Sequence, residues 1–161
     1  AEGVTQAALI NRAAVKKVQD HFQDALSKGA KHFAGAVPKG DHGNFVEPVL
    51  ITGVTRDMKL CDDETFGPLA AVIKFETEEE AIEIANDTPY GLAAYFYSTN
   101  VHRVWRVADE LEAGIIGINE GAISNAAAPF GGVKESGLGR EGSSHGIEVY
   151  MEVKYLCMGT E

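Results

Sequence analysis

The chain is poor in cysteine and positive charge and has no long apolar run, and each shortage closes off a class of protein. Its two cysteines, Cys61 and Cys157, stand far apart with no CxxC spacing, which fits a reducing compartment better than a disulfide framework. Five histidines, at 21, 32, 42, 102 and 145, show no metal-ligand spacing. They read as surface residues, and no metal is expected. Lys and Arg number 14 against 24 Asp and Glu, a net charge of −10. No basic cluster offers a track for phosphates, so neither nucleic acid nor an anionic membrane is expected as a partner. No apolar run approaches the roughly 20 residues that span a bilayer. The first residues, Ala-Glu-Gly-Val-Thr-Gln, carry neither a basic patch nor a signal-peptide core. Without an initiator Met the chain is expected to be part of something longer. Its 161 residues, 45% hydrophobic and 24% charged, suit one globular domain with a real core and exclude disorder and collagen.

Periodicity supplies the elements. Leu9, Ala13, Val15, Val18, Phe22, Ala25 and Leu26 recur at helical spacing from about Ala8 to Lys28, with Gly29 placed as a left-handed cap. Residues 31–36 suit a short strand, and residues 45–54 a strand interrupted by Pro48, which argues for an edge or a bulge. Leu69 to Phe75 is nearly continuously apolar, as in a parallel sheet covered on both faces. Thr77 with Glu80 forms a capping box opening a helix that Pro89 stops. Gly91 to Ser98 reads as a strand. Val101, Val104, Trp105, Ala108 and Leu111 mark the core face of a following helix closed by Gly114, and Ile115 to Asn119 is a further strand. A short helix is expected at 143–150 and a terminal strand at 152–158. Alternation of strand and helix predicts an α/β fold with right-handed crossovers, whose ligands bind in loops at the carboxyl ends of strands.

The largest such loop runs from Asn119 to Gly142, with six glycines and neither period. A segment that long is uncommon in a compact domain unless it binds or gates something. The alternative is a mobile surface loop, but Ile123, Phe130, Val133 and Leu138 offer anchors. Within it, Gly137-Leu-Gly-Arg-Glu-Gly142 matches GxGxxG, although no strand leads straight into it as the dinucleotide fingerprint requires. Asp62-Asp63-Glu64 could ligate a metal, bond sugar hydroxyls or form a solvated turn; Phe66-Gly67-Pro68 beside it presents a rigid aromatic. Asn86-Asp87-Thr88 fits a glycosylation sequon and is discounted in a chain with no secretory signal.

Taken in order, Glu64-Thr-Phe-Gly-Pro68, Ala85-Asn86, Tyr90-Gly-Leu-Ala93, Pro129-Phe-Gly-Gly132, Lys134, Ser136-Gly137 and Gly139-Arg-Glu141 resemble the aldehyde dehydrogenase superfamily across essentially the whole chain. Residues 119–124 and 152–158 resemble its succinate-semialdehyde dehydrogenases. The resemblance implies a three-layer catalytic-domain portion with a mostly parallel sheet over residues 1–150, and an oligomerisation strand in the tail, 151–161. It also implies NAD or NADP as cofactor, a small aldehyde substrate, a homodimer or homotetramer, and a cytoplasmic or mitochondrial-matrix location. Such enzymes attack the aldehyde with a cysteine thiolate, pass hydride to NAD(P)+ and hydrolyse the thioester with a water that a glutamate activates.

Carried over residue by residue, Glu64 matches the glutamate that holds the nicotinamide ribose hydroxyls, and Phe66 the aromatic beside the nicotinamide. Ser124 falls where a hydroxyl meets the substrate's distal carboxylate, Phe130 where an aromatic lines the substrate tunnel, and Glu141 near the proton-release path. The Gly-Gln-x-Cys context of the nucleophile is missing, and neither Cys61 nor Cys157 matches it. The general-base glutamate, the Rossmann half and the arginines for the substrate carboxylate are missing too. The chain is therefore expected to be a C-terminal part, inactive alone. Two other classes stay open: a non-catalytic nucleotide- or anion-binding module, and an assembly fragment that pairs its terminal strand.

Overall fold

The computed structural model describes residues 6–40 and 43–160, so His42 lies outside the described residues. The chain divides into two compact units, Ala1–Ala81 and Ile82–Glu161.

In the first unit, Asn11 caps α1 (Arg12–Ser27) by accepting the Ala14 N–H at 2.9 Å, so the helix starts four residues later than periodicity suggests. At its other end, Gly29 (φ 102°) directs its N–H to Leu26 O while Ala30 N–H reaches Ala25 O. This Schellman closure needs a left-handed residue, which glycine adopts without steric cost. Val15, Val18, Phe22 and Ala25 form the buried stripe of α1. Phe22 and Ala25 pack with Val49, Ile51, Val54 and Met58 in the main core.

The strands β1 (Lys31–Gly35), β2 (Val49–Thr52) and β3 (Leu69–Val72) form a sheet in that order, β1–β2 antiparallel with a bulge near His32 and Ala34, and β2–β3 parallel. Pro48 does not interrupt β2; it precedes it, and β2 is the central strand. A proline inside a central strand would remove a ladder donor, so the strand begins one residue after it. A one-turn helix, α2 (Lys59–Asp62), lies on the connection from β2 to β3.

The unit boundary falls within α3 (Glu78–Asn86). The capping box before it exists in altered form: Thr77 Oγ1 accepts Glu80 N–H at 3.2 Å, but the Glu80 carboxylate reaches Glu76 N–H at 2.7 Å, one residue earlier than expected.

In the second unit the expected strand at 91–98 divides into β4 (Tyr90–Gly91) and β5 (Ala93–Phe96), because the backbone changes partners at Leu92. β4 pairs antiparallel with β7 (Val133–Lys134), and β5 pairs parallel with β6 (Ile115–Ile118). The helix α4 (Val101–Glu110), capped by Asn100, joins β5 to β6, which gives the expected strand–helix–strand unit. Trp105 is not core: it is 75% exposed, while Val107 is buried. Two helical residues two apart differ by about 200° in direction, so both cannot face one core. Gly114 does not cap α4, which ends at Glu110 with Leu111 as its C-cap.

Residues 145–150 form a 3-10 helix. Among the described residues, pairings are parallel and antiparallel in equal number, in three small sheets where one mostly parallel sheet was expected. The expected terminal strand is absent: residues 151–160 join no ladder and are all exposed. An extended segment becomes a strand only when a second backbone supplies partners.

Candidate functional site

Glu64 and Phe66 lie in the first unit, between α2 and β3. One face of α1 holds the side chains that flank Glu64. Lys17 Nζ donates to Asp63 Oδ1 at 2.7 Å, and His21 places Nδ1 at 2.9 Å from Thr65 Oγ1 and Nε2 at 3.3 Å from Asp63 Oδ2. Gly67 sits so near Val18 that a Cβ there would lie 2.4 Å from Val18 Cγ2. The Lys17 hydrogen bond, seconded by His21, holds the Asp63 carboxyl below the usual aspartate range. His21 itself is only 3% exposed, contrary to its reading as a surface residue. The signal was available, since position 21 stands three residues after Val18 and four before Ala25, on the buried stripe.

Between these held neighbours, Glu64 is exposed. Phe66 is 81% exposed on backbone with φ +50°, a conformation uncommon for a bulky residue and concentrated at functional positions. The pair fits a nicotinamide riboside: an ionised carboxylate only accepts hydrogen bonds, as two vicinal hydroxyls require, and an exposed ring offers a flat apolar face. Among the described residues no group of three or more His, Cys, Asp or Glu side chains is placed to hold a metal ion.

Cys61 donates its thiol to Thr55 O at 3.4 Å. Burial, and then the carboxylates of Asp62 and Asp57, push that thiol up, opposite to what a nucleophile needs. Cys157 stands exposed on the terminal stretch.

Ser124, Phe130 and Glu141 lie in the second unit, on the glycine-rich segment, which is closed and braced. Phe130 and Glu141 exchange both backbone hydrogen bonds, at 2.8 and 2.7 Å, and Ser143 N–H reaches back to Ala126 O at 3.1 Å. Lys134 Nζ donates to Asn86 O at 2.8 Å and Thr88 O at 3.2 Å and pairs with Glu112. The Arg140 guanidinium donates to Gly132 O and Gly139 O. The Asn86 side chain is occupied by Glu110 O and Glu112 N–H, so it serves the fold at the sequon position.

Ser124 is exposed, in a stretch whose preceding amides, Gly121 and Ala122, are bonded by the Glu120 carboxylate. Phe130 and Glu141 border a cleft of about 450 Å³ shared with Leu92, Ser136, Arg140 and Tyr150. Of the expected anchors, Ile123 is half-buried, whereas Leu138 is fully exposed. Two of the GxGxxG glycines are closely packed: a Cβ at Gly139 would lie 2.5 Å from Val149 Cγ1, and one at Gly142 3.1 Å from Ala128 O, whereas Gly137 has open space around it and a φ of +119°.

These two constellations, with the motifs that carry them, define a class, and the "Aldehyde dehydrogenase family" model matches residues 1–156. The chain belongs to the aldehyde dehydrogenase family. The mitochondrial succinate-semialdehyde dehydrogenase of Rattus norvegicus is 56% identical to it over 158 residues, 98% of this chain and 30% of that protein. The 3-sulfolactaldehyde dehydrogenase of Pseudomonas putida is 54% identical over 157 residues, 98% and 32% respectively. A solved structure described as an NADP dependent enzyme of E. coli superposes with a TM-score of 0.96 at 51% identity, covering 99% of this chain and 33% of that one. The chain thus spans about a third of the length of the proteins it matches.

Proposed function

We propose that this chain is the C-terminal portion of an NAD(P)+-dependent aldehyde dehydrogenase that converts succinate semialdehyde, NAD(P)+ and water to succinate, NAD(P)H and two protons. Residues 1–150 serve the three-layer catalytic domain, residues 151–161 the assembly of a homodimer or homotetramer. When bound, the cofactor supplies the hydride acceptor. Toward it, Glu64 accepts hydrogen bonds from the nicotinamide ribose and Phe66 covers one side of the nicotinamide. Toward the substrate, Ser124 donates to the distal carboxylate and Phe130 lines the approach. Glu141, joined to Phe130 through the backbone, borders the route by which protons leave. The nucleophilic thiolate and its general base come from the remainder of the longer protein.

The observation that supports this most is the exposed Glu64 and Phe66 next to Asp63 and Thr65, whose side chains are held by Lys17 and His21 of α1. An anionic substrate gains support from the two relatives, whose names specify aldehydes with an acidic group at the far end. No helix among the described residues is long and apolar enough to cross a membrane, and the rat relative is named as mitochondrial; cytoplasm or mitochondrial matrix is the proposed location.

The experiment is NAD(P)H formation from succinate semialdehyde by the full-length protein and by residues 1–161 alone. Turnover is expected from the first and none from the second. Turnover by the isolated chain would show that Cys61 or Cys157 is no bystander, and an inactive full-length protein would overturn the assignment.

A further inference from the structure

We propose that His21 is a positioning residue that presets the Glu64 segment for the cofactor, an inference that rests on the cofactor reading of Glu64. The stripe of α1 is otherwise apolar, and filling the core there needs no imidazole. The ring instead spans the two residues that flank Glu64, with Thr65 Oγ1 at 2.9 Å and Asp63 Oδ2 at 3.3 Å. A carboxylate only accepts, so Nε2 carries the hydrogen toward Asp63, and in the neutral ring Nδ1 then accepts the Thr65 hydroxyl.

Lys17, one turn earlier on the same face, holds the other oxygen of Asp63, and Val18 closes against Gly67. Residues 63, 65 and 67 thereby touch one helix, Asp63 with its side chain still 62% exposed, while 64 and 66 are exposed. That alternation is what presentation of two side chains to a ligand requires. Rigidity set in advance lowers the ordering cost paid on binding, so its loss appears in affinity.

The test is the dissociation constant of NAD(P)+, measured by titration calorimetry without aldehyde on the full-length protein and its variants. His21→Phe keeps the bulk and removes both contacts, Thr65→Val removes one contact without touching the core, and His21→Gln offers a donor and an acceptor again. Each of the first two is expected to weaken cofactor binding roughly two- to tenfold, the worth of about one hydrogen bond. The double variant should be no weaker than the weaker single, because both remove the same bridge, and His21→Gln should recover part of the loss. Should His21→Phe fail to fold, Thr65→Val alone decides.

Unchanged affinity in Thr65→Val and His21→Phe, with Glu64→Gln weakened, would overturn the positioning role and leave the cofactor reading standing. Additive losses would overturn the bridge. Unchanged affinity in Glu64→Gln would instead overturn the cofactor reading, and the purpose of the brace with it.

Discussion

A carboxylate accepts hydrogen bonds and donates none, so glutamine in place of Glu64 keeps the size and surrenders one acceptor and the charge. In the full-length enzyme, Glu64→Gln is expected to slow hydride transfer on the order of tenfold while leaving aldehyde capture intact, since a hydrogen bond to a charged group contributes about 1.5–3 kcal/mol and one acceptor survives. A single-turnover experiment that separates the two steps checks this; unaltered hydride transfer would remove Glu64 from the cofactor. Ser124→Ala is expected to raise KM for succinate semialdehyde about tenfold or more and to spare an uncharged aldehyde of similar length. Equal losses on both would mean that the serine only shapes its loop. At this scale a motif names Glu64, Phe66 and Ser124, and the structure places all three exposed. The sequence misled at His21, where residue type suggested the surface while the helical position lies on the buried stripe, and at Trp105, where the spacing picked out a face other than the one that buries Val107.

The elements show the same division. The spacing on α1 located its core face, yet its start depended on Asn11, whose side chain competes for the first free amide. Gly114 was read as a helix cap for its type, whereas its use is steric: a Cβ there would stand 2.0 Å from Gly131 O, in the strand-end contact that seats the glycine-rich segment. That contact joins residues far apart in sequence and leaves no local periodicity. Gly114→Ala is therefore expected to cost at least about 1–3 kcal/mol, the range for forcing a methyl into packed structure, and to lower the thermal midpoint of the full-length protein. An unchanged midpoint would mean that the segment is not seated there. The division of the strand at 91–98 was likewise invisible to pattern, since Gly91 and Ala93 suit one strand and only their partners differ.

For the whole molecule, the tail carries the largest unmet demand. Val153, Tyr155, Leu156 and Met158 are each more than four-fifths exposed, and their backbone has no ladder partner. Edges of that kind are covered in working proteins, and addition to a neighbouring sheet is a common route. Deleting residues 152–161 from the full-length enzyme should lower its mass in light scattering toward monomer; an undiminished oligomer would refute the assembly role. The family was legible from ordered motifs, whereas the sheet order was not, because strand pairing is decided by tertiary partners. The most direct test of the function is a crystal structure of the full-length protein with NAD(P)+ bound. The Glu64 carboxylate should lie within hydrogen-bond distance, about 2.5–3.0 Å, of the nicotinamide ribose hydroxyls, with Phe66 against the nicotinamide. A cofactor bound in full with Glu64 left in solvent would contradict it.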